Sequence, residues 1–420
     1  MLLVCLYTAV STIAAIVSFL LLLHAWEHRR YTRNKLRKID ASDCAVQDHV
    51  AVIVPCKGLD LDLDENLRRL MSQDYPSYEI IFVVDSLDDP ACDVIRDLMQ
   101  ATGGVSTRLV NAGPATDTGQ KIHNLLAATD AVGENAEILA FVDSDARPNR
   151  NWLRHLVSNL NRPGFDAVTS YRWFIPRRAT VGNLVLYSIN SAVMALTATR
   201  RPTLLWGGTW AIRRSTFEQI GLRLYWRGKL SDDLAASALF SQTGIRVSFE
   251  PRCIVASPID FSTIQMWEFL RRQYYMGRWY RARIWWLCLA TISVTVTAFW
   301  SSVAMLFYGI STAAAWTWLP AVAAATLYSF AAVRACWRQQ ASLRYGLEET
   351  SSSRIAKWFD VVAFPFTMLV AWAGMVSSIA NRRTTWRGIQ YYVGKGGRVE
   401  IVKPTSGRDG SGGEEHQRAA

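Results

Sequence analysis

Three apolar blocks constrain this chain of 420 residues more than any other feature of its sequence. Residues 1–26 and 284–333 contain no Asp, Glu, Lys or Arg, and residues 358–380 contain only Asp360. A helix that crosses a bilayer needs about 20 mostly apolar residues. The sequence therefore predicts a transmembrane helix over residues 1–26, a transmembrane hairpin over 284–335, and a transmembrane or re-entrant helix over 356–381.

The charges beside the first block predict its orientation. Six basic residues follow the block: Arg29, Arg30, Arg33, Lys35, Arg37 and Lys38. Because basic residues favour the cytoplasmic side of a membrane, we expect residues 27–283 to form a cytoplasmic domain, at the inner membrane if the source is bacterial. A cleaved signal peptide is the alternative, but the block lacks a basic start and exceeds the ~7–15 apolar residues of such signals.

The basic C-terminal tail, residues 382–420, conflicts with four complete spans. Such spans would place this tail outside, against the same charge rule. Either the block that contains Pro365 is re-entrant, which we favour, or one apolar block does not span. From about residue 404 the tail is polar and rich in glycine, which predicts disorder.

The net charge of +11 also bears on the class of partner. The basic residues of the chain flank the apolar blocks, which indicates attraction to a membrane surface and not to nucleic acid. Histidine and cysteine do not cluster at the spacing of zinc ligands, so a zinc site is not expected.

Strands and helices alternate between the first two blocks. Apolar runs typical of buried strands cover residues 49–55, 78–84, 106–110 and 136–142, and helical stretches cover 65–72, 91–99 and 121–128. This alternation predicts an α/β fold with a mostly parallel sheet. Ligands bind beyond the carboxyl ends of such strands, where Asp85, Asp89, Asp143 and Asp145 stand.

The pair Asp143 and Asp145 is the strongest local motif. Two carboxylates one residue apart at the end of a strand can hold one hard cation, Mg²⁺ or Mn²⁺, with phosphate oxygens completing its shell. A simple turn motif is the competing interpretation. The apolar strand before the pair and the Arg147–Pro148 dipeptide after it favour the metal site.

Three other segments are candidates for chemistry. Asp232 and Asp233 form either a helix N-terminus with a favourable dipole or a general base for a hydroxyl proton. Lys121 and Asn124 stand at a predicted helix start, where phosphates bind favourably. Several arginines between residues 271 and 283, with Gln273 and Trp279, are either an interfacial flank or ligands of a leaving diphosphate.

Together these motifs resemble the inverting nucleotide-sugar glycosyltransferases with a GT-A (Rossmann-like) fold, and within them the ceramide glucosyltransferases and their bacterial lipid-glycosyltransferase relatives. The matching segments are VIVPCKG at 52–58, DYPSYEIIFVVDSLDDPA at 74–91, GQKIHNL at 119–125, FVDSD at 141–145, WGGTWAIRRSTFEQIG at 206–221 and RTTWRGIQYYVGKGG at 383–397. The chain departs from the family's arginine–tryptophan motif at Tyr275, where glutamine or arginine is expected and where Gln273 or Arg272 could substitute.

The resemblance implies roles for individual residues. It implies that Asp233 is the base, with Asp232 beside it. The implied donor-binding residues are Lys57, Asp85, Asp89, Lys121, Asn124, Asp143, Arg278 and Trp279. The implied acceptor-side residues are Trp206, Gly207, Gly208, Gln273 and Trp279. Asp143 and Asp145 would hold Mg²⁺ or Mn²⁺.

The implied reaction is transfer of a sugar, glucose, from a UDP-sugar to a lipid such as ceramide or another membrane lipid. The sequence identifies no particular protein partner. A processive polysaccharide synthase shares the motifs, but it would need more spans than the sequence predicts. An inactive membrane scaffold that keeps a GT-A shell is the rival from another class, although four retained acidic residues argue against it.

Overall fold

The computed structural model describes residues 2–37, 47–101, 103–197, 204–380 and 383–404. The strands are β1 Val50–Pro55, β2 Tyr78–Val84, β3 Ser106–Asn111, β4 Ile138–Val142, β5 Ala167–Thr169, β6 Arg172–Pro176, β7 Thr209–Arg213, β8 Val247–Phe249, β9 Val255–Ile259, β10 Arg383–Trp386, β11 Ile389–Val393 and β12 Val399–Pro404. The α-helices are α1 Leu2–Arg37, α2 Leu63–Met71, α3 Ala91–Ala101, α4 Gln120–Asp130, α5 Trp152–Leu160, α6 Val181–Thr197, α7 Arg214–Gln219, α8 Leu222–Trp226, α9 Asp232–Thr243, α10 Thr263–Tyr280, α11 Ala282–Ser311, α12 Trp318–Ser342, α13 Ser351–Val362 and α14 Phe364–Ala380.

A seven-stranded sheet forms the centre of the fold, with strand order β3-β2-β1-β4-β7-β5-β8. The pairs β1–β2, β2–β3, β1–β4 and β5–β8 are parallel, whereas β7 is antiparallel to β4 and β5. The predicted α/β class with a mostly parallel sheet is therefore confirmed.

Apolar residues on both faces explain why the central strands are buried. Along β1, Val50, Val52 and Val54 pack on one side with residues of α2, α3 and α5. Ala51 and Ile53 alternate with them and pack on the other side with residues of α4 and α9. Each fully buried valine or isoleucine side chain contributes roughly 1.5–3 kcal/mol, so two helical layers stabilise the sheet.

The antiparallel strand β7 brings a loop to the edge where the parallel strands end. Thr209, its first residue, pairs with Val142, the last residue of β4. The loop over residues 206–208 therefore lies beside Asp143, although the two segments are far apart in sequence.

A C-terminal sheet of β10, β11 and β12 covers the same edge. The Val399 amide donates to the Gly228 carbonyl at 2.8 Å, and the Gln120 amide donates to the Tyr391 hydroxyl at 3.3 Å. Part of the expected basic tail is thus an ordered sheet over residues 383–404. The residues beyond 404, for which disorder is expected, lie outside the described residues. Lys38 and Arg382 also lie outside them.

Among the described residues, three helical segments are long and apolar enough to cross a membrane: Val4–Arg37, Ala282–Ser311 and Ala315–Ser342. The helices α13 and α14 meet at a bend of 85°, as in a broken span or a re-entrant loop. The structure therefore has an N-terminal helix and further helices after the α/β domain that could span a membrane, and these adjoin the α/β domain through α6 and α10.

Candidate active site

Lys121 is the centre of a charged cluster beyond the carboxyl end of β4. Its Nζ atom lies 2.7 Å from Asp143 Oδ1 and 3.1 Å from Asp232 Oδ1, and all three side chains are largely buried. Burial alone would lower the pKa of Lys121, but Asp143, Asp232 and Asp233 outweigh burial and raise it. Lys121 therefore stays charged and holds the end of β4 against the start of α9.

Arg172, at the start of β6, pairs with the second carboxylate of the motif. Its Nη1 atom lies 2.6 Å from Asp145 Oδ2, which also accepts from the Ser257 hydroxyl at 3.2 Å. Asp145 Oδ1 is buried without a hydrogen-bond partner among the described residues. Burial raises the pKa of Asp145, with Arg172 opposing and the nearby Asp143 carboxylate adding to the rise.

Asp143 has the opposite balance. Burial would raise its pKa, but Lys121 and then Arg172 outweigh burial and lower it. Asp143 is thus an ionised carboxylate, whereas Asp145 beside it is held in a less favourable setting for charge. The ionised Asp143 and the Asp145 side chain, whose Oδ1 atom has no hydrogen-bond partner among the described residues, line the same cavity.

Asp232 and Asp233 begin α9 and point to different partners. Asp233 accepts hydrogen bonds from the Gly207 amide at 3.1 Å, the Ser231 hydroxyl at 2.6 Å and the Leu234 amide at 2.7 Å. Asp232 is only 2% exposed, and its Oδ2 atom has no hydrogen-bond partner among the described residues. Burial, opposed by Lys121, raises the pKa of Asp232 to about 6.

Gly207 and Gly208, before β7, allow this close approach. A Cβ atom at Gly207 would lie 3.1 Å from Lys121 Nζ and 3.3 Å from Asp233 Oδ2. A Cβ atom at Gly208 would lie 3.3 Å from Arg172 Cβ. Larger residues at these positions would displace the side chains that carry the charge cluster.

Three charged residues join the cluster without having been assigned a place in it from the sequence. Arg387, in the turn between β10 and β11 at φ +49°, donates to the Lys57 carbonyl at 2.7 Å and to Asp60 Oδ1 at 2.5 Å. Asp60 Oδ2 accepts from the Ser144 hydroxyl at 2.6 Å. Asp60 and Arg172 carry no local signature, whereas Arg387 belongs to the WRG segment that resembles the family.

Arg272 is a further cation at the site. It is 8% exposed and stacks over Phe269 and Trp386, with its guanidinium carbon 5.3 and 5.6 Å from the two ring centres. Burial, with Arg387 and Arg172 nearby, lowers its pKa to about 9. Arg272 lines the cavity described below, as does Gln273.

Five expected donor-binding residues have other partners, and of these only Lys57 also lines the cavity described below. Asp89 accepts from the Gly58 amide at 2.9 Å and from the Ala91 amide at 2.9 Å, which fixes the loop after β1 to the start of α3. Asp85 is paired with Lys57. Arg278 donates to the Ile379 carbonyl and lies 5.3 Å over the ring of Trp279.

A cavity of about 750 Å³ joins the charge cluster to the apolar helices. We call one part the charged end; it is lined by residues that include Lys57, Asp60, Lys121, Asn124, Asp143, Asp145, Arg172, Trp206, Gly207, Asp232, Asp233, Arg272, Gln273 and Arg387. We call the other part the membrane end; it is lined by residues of α6, α11, α12 and α14 and by Asp360 of α13. The cavity can therefore hold a polar and an apolar molecule in contact.

Comparison with known proteins identifies relatives. The model of the family "Glycosyl transferase family 21" matches residues 7–399. Ceramide glucosyltransferase 3 of Caenorhabditis elegans is 32% identical over 126 residues, which is 28% of this chain and 27% of the relative. Ceramide glucosyltransferase of Candida albicans is 27% identical over 146 residues, 32% of this chain and 26% of the relative. The matches thus span about a quarter of the length of these relatives.

A solved structure also resembles the chain. It is a mannosyltransferase from Pyrobaculum calidifontis in complex with GDP-Man and Mn²⁺, with a TM-score of 0.48 and 17% sequence identity. The match covers 88% of this chain and 99% of that one.

Proposed function

The chain belongs to glycosyl transferase family 21, and from this premise we propose that it transfers glucose from a UDP-sugar to a membrane lipid, ceramide or another. One observation carries the proposal: a single cavity runs from a buried cluster of carboxylates and cations to the walls of apolar, membrane-type helices. A nucleotide-sugar fits the charged end by its phosphates, and a lipid fits the membrane end by its chains.

We propose that Asp233 is the general base of an inverting displacement. It takes the proton of the acceptor hydroxyl as that oxygen bonds to the anomeric carbon, and the bond from this carbon to the diphosphate breaks. The Gly207 amide and the Ser231 hydroxyl fix the direction of the carboxylate beside the acceptor-side loop. The carboxylate must come within ~2.6–3.2 Å of the hydroxyl oxygen for this transfer.

The leaving diphosphate would be stabilised by cations of the charged end. Lys121 is held there by Asp143 and Asp232, and Arg272 faces the cavity from α10. Because Arg278 donates to the Ile379 carbonyl, we assign to Arg272 the role that the family motif implies for Arg278. The Lys57–Asp85 pair borders the space for the nucleoside, and Asp89 supports it through the Gly58 backbone.

The residues present fit a divalent cation. The described residues contain no group of three or more His, Cys, Asp or Glu side chains placed to hold a metal. Two carboxylates suffice for Mg²⁺ when phosphate oxygens supply other ligands, and Asp145 Oδ1 is a buried oxygen without a partner. When bound by Asp143 and Asp145, Mg²⁺ or Mn²⁺ would neutralise charge on the diphosphate.

We further propose that the α/β domain is cytoplasmic. The basic residues at the end of α1 would lie at the inner surface. A cysteine introduced at the exposed Asn161 should resist an impermeant thiol reagent added to intact cells, and react after permeabilisation. Labelling in intact cells would reverse the topology.

The function can be tested with the full chain in lipid nanodiscs that contain ceramide, supplied with UDP-glucose. We expect one glucosylated lipid with inverted anomeric configuration, transfer reduced by about 10²–10⁴-fold in Asp233→Asn, and loss of UDP binding in EDTA or in Asp145→Ala. A ladder of longer glycans would indicate a processive synthase instead. Absence of both transfer and donor hydrolysis would indicate an inactive scaffold.

A further inference from the structure

A second buried polar cluster lies at the membrane end of the cavity, built from α6, α12 and α13. Asp360 is its centre and is 3% exposed. It accepts hydrogen bonds from Arg338 at 2.8 Å, from the Gln339 amide at 2.6 Å and from the Ser191 hydroxyl at 3.2 Å. The carboxylate of Asp360 is thus satisfied by three donors of neighbouring helices.

Arg334 adds a second cation to this cluster. It stands four residues before Arg338, so the two side chains share one face of α12. Both line the cavity, and the Nε atoms of both are buried without a hydrogen-bond partner among the described residues. Two guanidinium groups therefore share one carboxylate, which leaves one positive charge without a counter-ion in the cluster.

Such a charge is costly within an apolar wall. Arginine inside a membrane-type helix usually faces a cavity or a partner and marks a binding function. Exposed basic residues just after α12, such as Arg344, need no such explanation because water solvates them. Arg334 differs because its Nε is shielded from solvent while its side chain lines the cavity.

We propose that Arg334, beside Arg338, binds an anionic phosphate or carboxylate group carried by the lipid acceptor. A guanidinium presents paired N–H donors that match the oxygens of either group. The subsite lies on helices α6, α12 and α13, apart from the donor-side cations on α4, β6 and α10. Calling the bound lipid the acceptor rests on the proposed function, and among the acceptors which that function allows, the inference favours a lipid with an acidic head over neutral ceramide.

The test compares two lipids that differ only in a phosphate, phosphatidic acid and diacylglycerol. Native mass spectrometry of the full chain, released from detergent, gives an apparent Kd for each. We expect wild-type protein to prefer phosphatidic acid, and Arg334→Gln to bind it at least about tenfold more weakly, as expected when a charged partner is removed. Arg334→Lys should retain part of the preference, and the exposed control Arg344→Gln should match wild type.

The outcomes distinguish a lipid headgroup from a free anion, and they distinguish failure of this inference from failure of the proposed function. Equal binding of both lipids, or equal losses in Arg334→Gln and Arg344→Gln with unchanged thermal unfolding, overturns the subsite. Displacement of phosphatidic acid by millimolar inorganic phosphate at similar affinity would show a free-anion site and overturn the lipid assignment. Retained UDP-glucose transfer with no preference for phosphatidic acid would defeat this inference alone, whereas selective lipid binding without any transfer would defeat the proposed function alone.

Discussion

The charged end and the membrane end of the cavity are built in different ways. At the charged end, side chains from loops, strands and the C-terminal sheet converge, and Lys121, Arg172 and Arg387 each bridge two segments of the chain. At the membrane end, helices supply apolar walls with one polar cluster around Asp360. Fixed charges demand exact partners, whereas apolar walls tolerate changes that conserve volume.

This difference in construction predicts which end of the cavity determines specificity for each substrate. A diphosphate and a reacting hydroxyl require groups placed within a fraction of an ångström, and single changes there alter the rate. A lipid chain requires mainly space and apolar contact, so single changes there alter affinity. Substitutions can test this division between rate effects at the charged end and affinity effects at the membrane end, and the largest effect is expected at the charged end.

The base at the charged end should show the largest effect. Asp233→Asn keeps the shape and most hydrogen bonds but removes the basicity needed to accept a proton. Transfer should fall by about 10²–10⁴-fold, while the Kd of UDP stays near that of wild type. Single-turnover transfer and calorimetric UDP binding measure the two quantities.

Asp232→Asn is the matched control for that experiment. Asp232 contacts Lys121 and has one buried oxygen without a partner, so its loss should reduce turnover less. If the two losses are reversed, Asp232 is the base, and near-wild-type transfer by Asp233→Asn excludes the assignment of Asp233.

Substitution of Arg272 should cause the second-largest loss of transfer. Loss of one preorganised donor to a developing negative charge costs about 10²–10³ in kcat, and we expect Arg272→Gln to fall in that range. Arg278→Gln should fall less, because Arg278 donates to a backbone carbonyl. A larger loss in Arg278→Gln than in Arg272→Gln would return the role to the family's arginine–tryptophan motif.

The central strands and membrane helices could be predicted from the sequence because their signals are local. The predicted strand at residues 78–84 matches β2 residue for residue, and the predicted helix at 121–128 lies within α4. Continuous apolar runs with charged flanks need no knowledge of distant segments. The same holds for Lys121, Asp143 and Asp232, because each stands at the end of an element: α4 begins at Gln120, β4 ends at Val142 and α9 begins at Asp232.

The rest of the site could not be predicted because it depends on contacts between distant segments. Arg387 reaches Asp60 across a separation of 327 residues, and Arg172 reaches Asp145 from another sheet. Arg172 has no local pattern that distinguishes it from the many other basic residues, and the WRG segment marks Arg387 without indicating Asp60 as its partner. Arg272 and Arg278 stand on one helix, and only the packing of α10 determines which faces the cavity.

A bulky residue at the membrane end should affect the lipid and spare the nucleotide. Ala192 of α6 lines this end, and Ala192→Trp would occupy part of the space for a lipid. We expect the KM for the lipid acceptor to rise about tenfold, the lower range of a steric mismatch in an apolar pocket, with unchanged Kd for UDP. Val376→Trp, at an exposed position of α14, should change neither quantity.

The smallest effect concerns the stability of the charged end as a function of pH. Burial raises the pKa of Asp232 to about 6 in the folded protein, above the 3.8 of a solvated aspartate in the unfolded chain. Between these values the folded protein keeps a proton that the unfolded chain has released, so the contribution of Asp232 to stability falls as pH rises through this window. Asp232→Asn removes that contribution and should therefore unfold at a higher temperature than wild type at pH 7.5.

The pH dependence of the difference in Tm, more than its size, identifies the cause. Relative to wild type, the Tm of Asp232→Asn should rise by about 4–8 °C between pH 4 and pH 7.5, because the difference between the two pKa values corresponds to about 2 kcal/mol over this range and 1 kcal/mol shifts the Tm of a domain of this size by about 2–4 °C. Asp74→Asn, a change at an exposed carboxylate, should show no such trend. A Tm difference that is constant across this range would mean that Lys121 compensates the Asp232 carboxylate fully, and that the charged end holds its anions without strain.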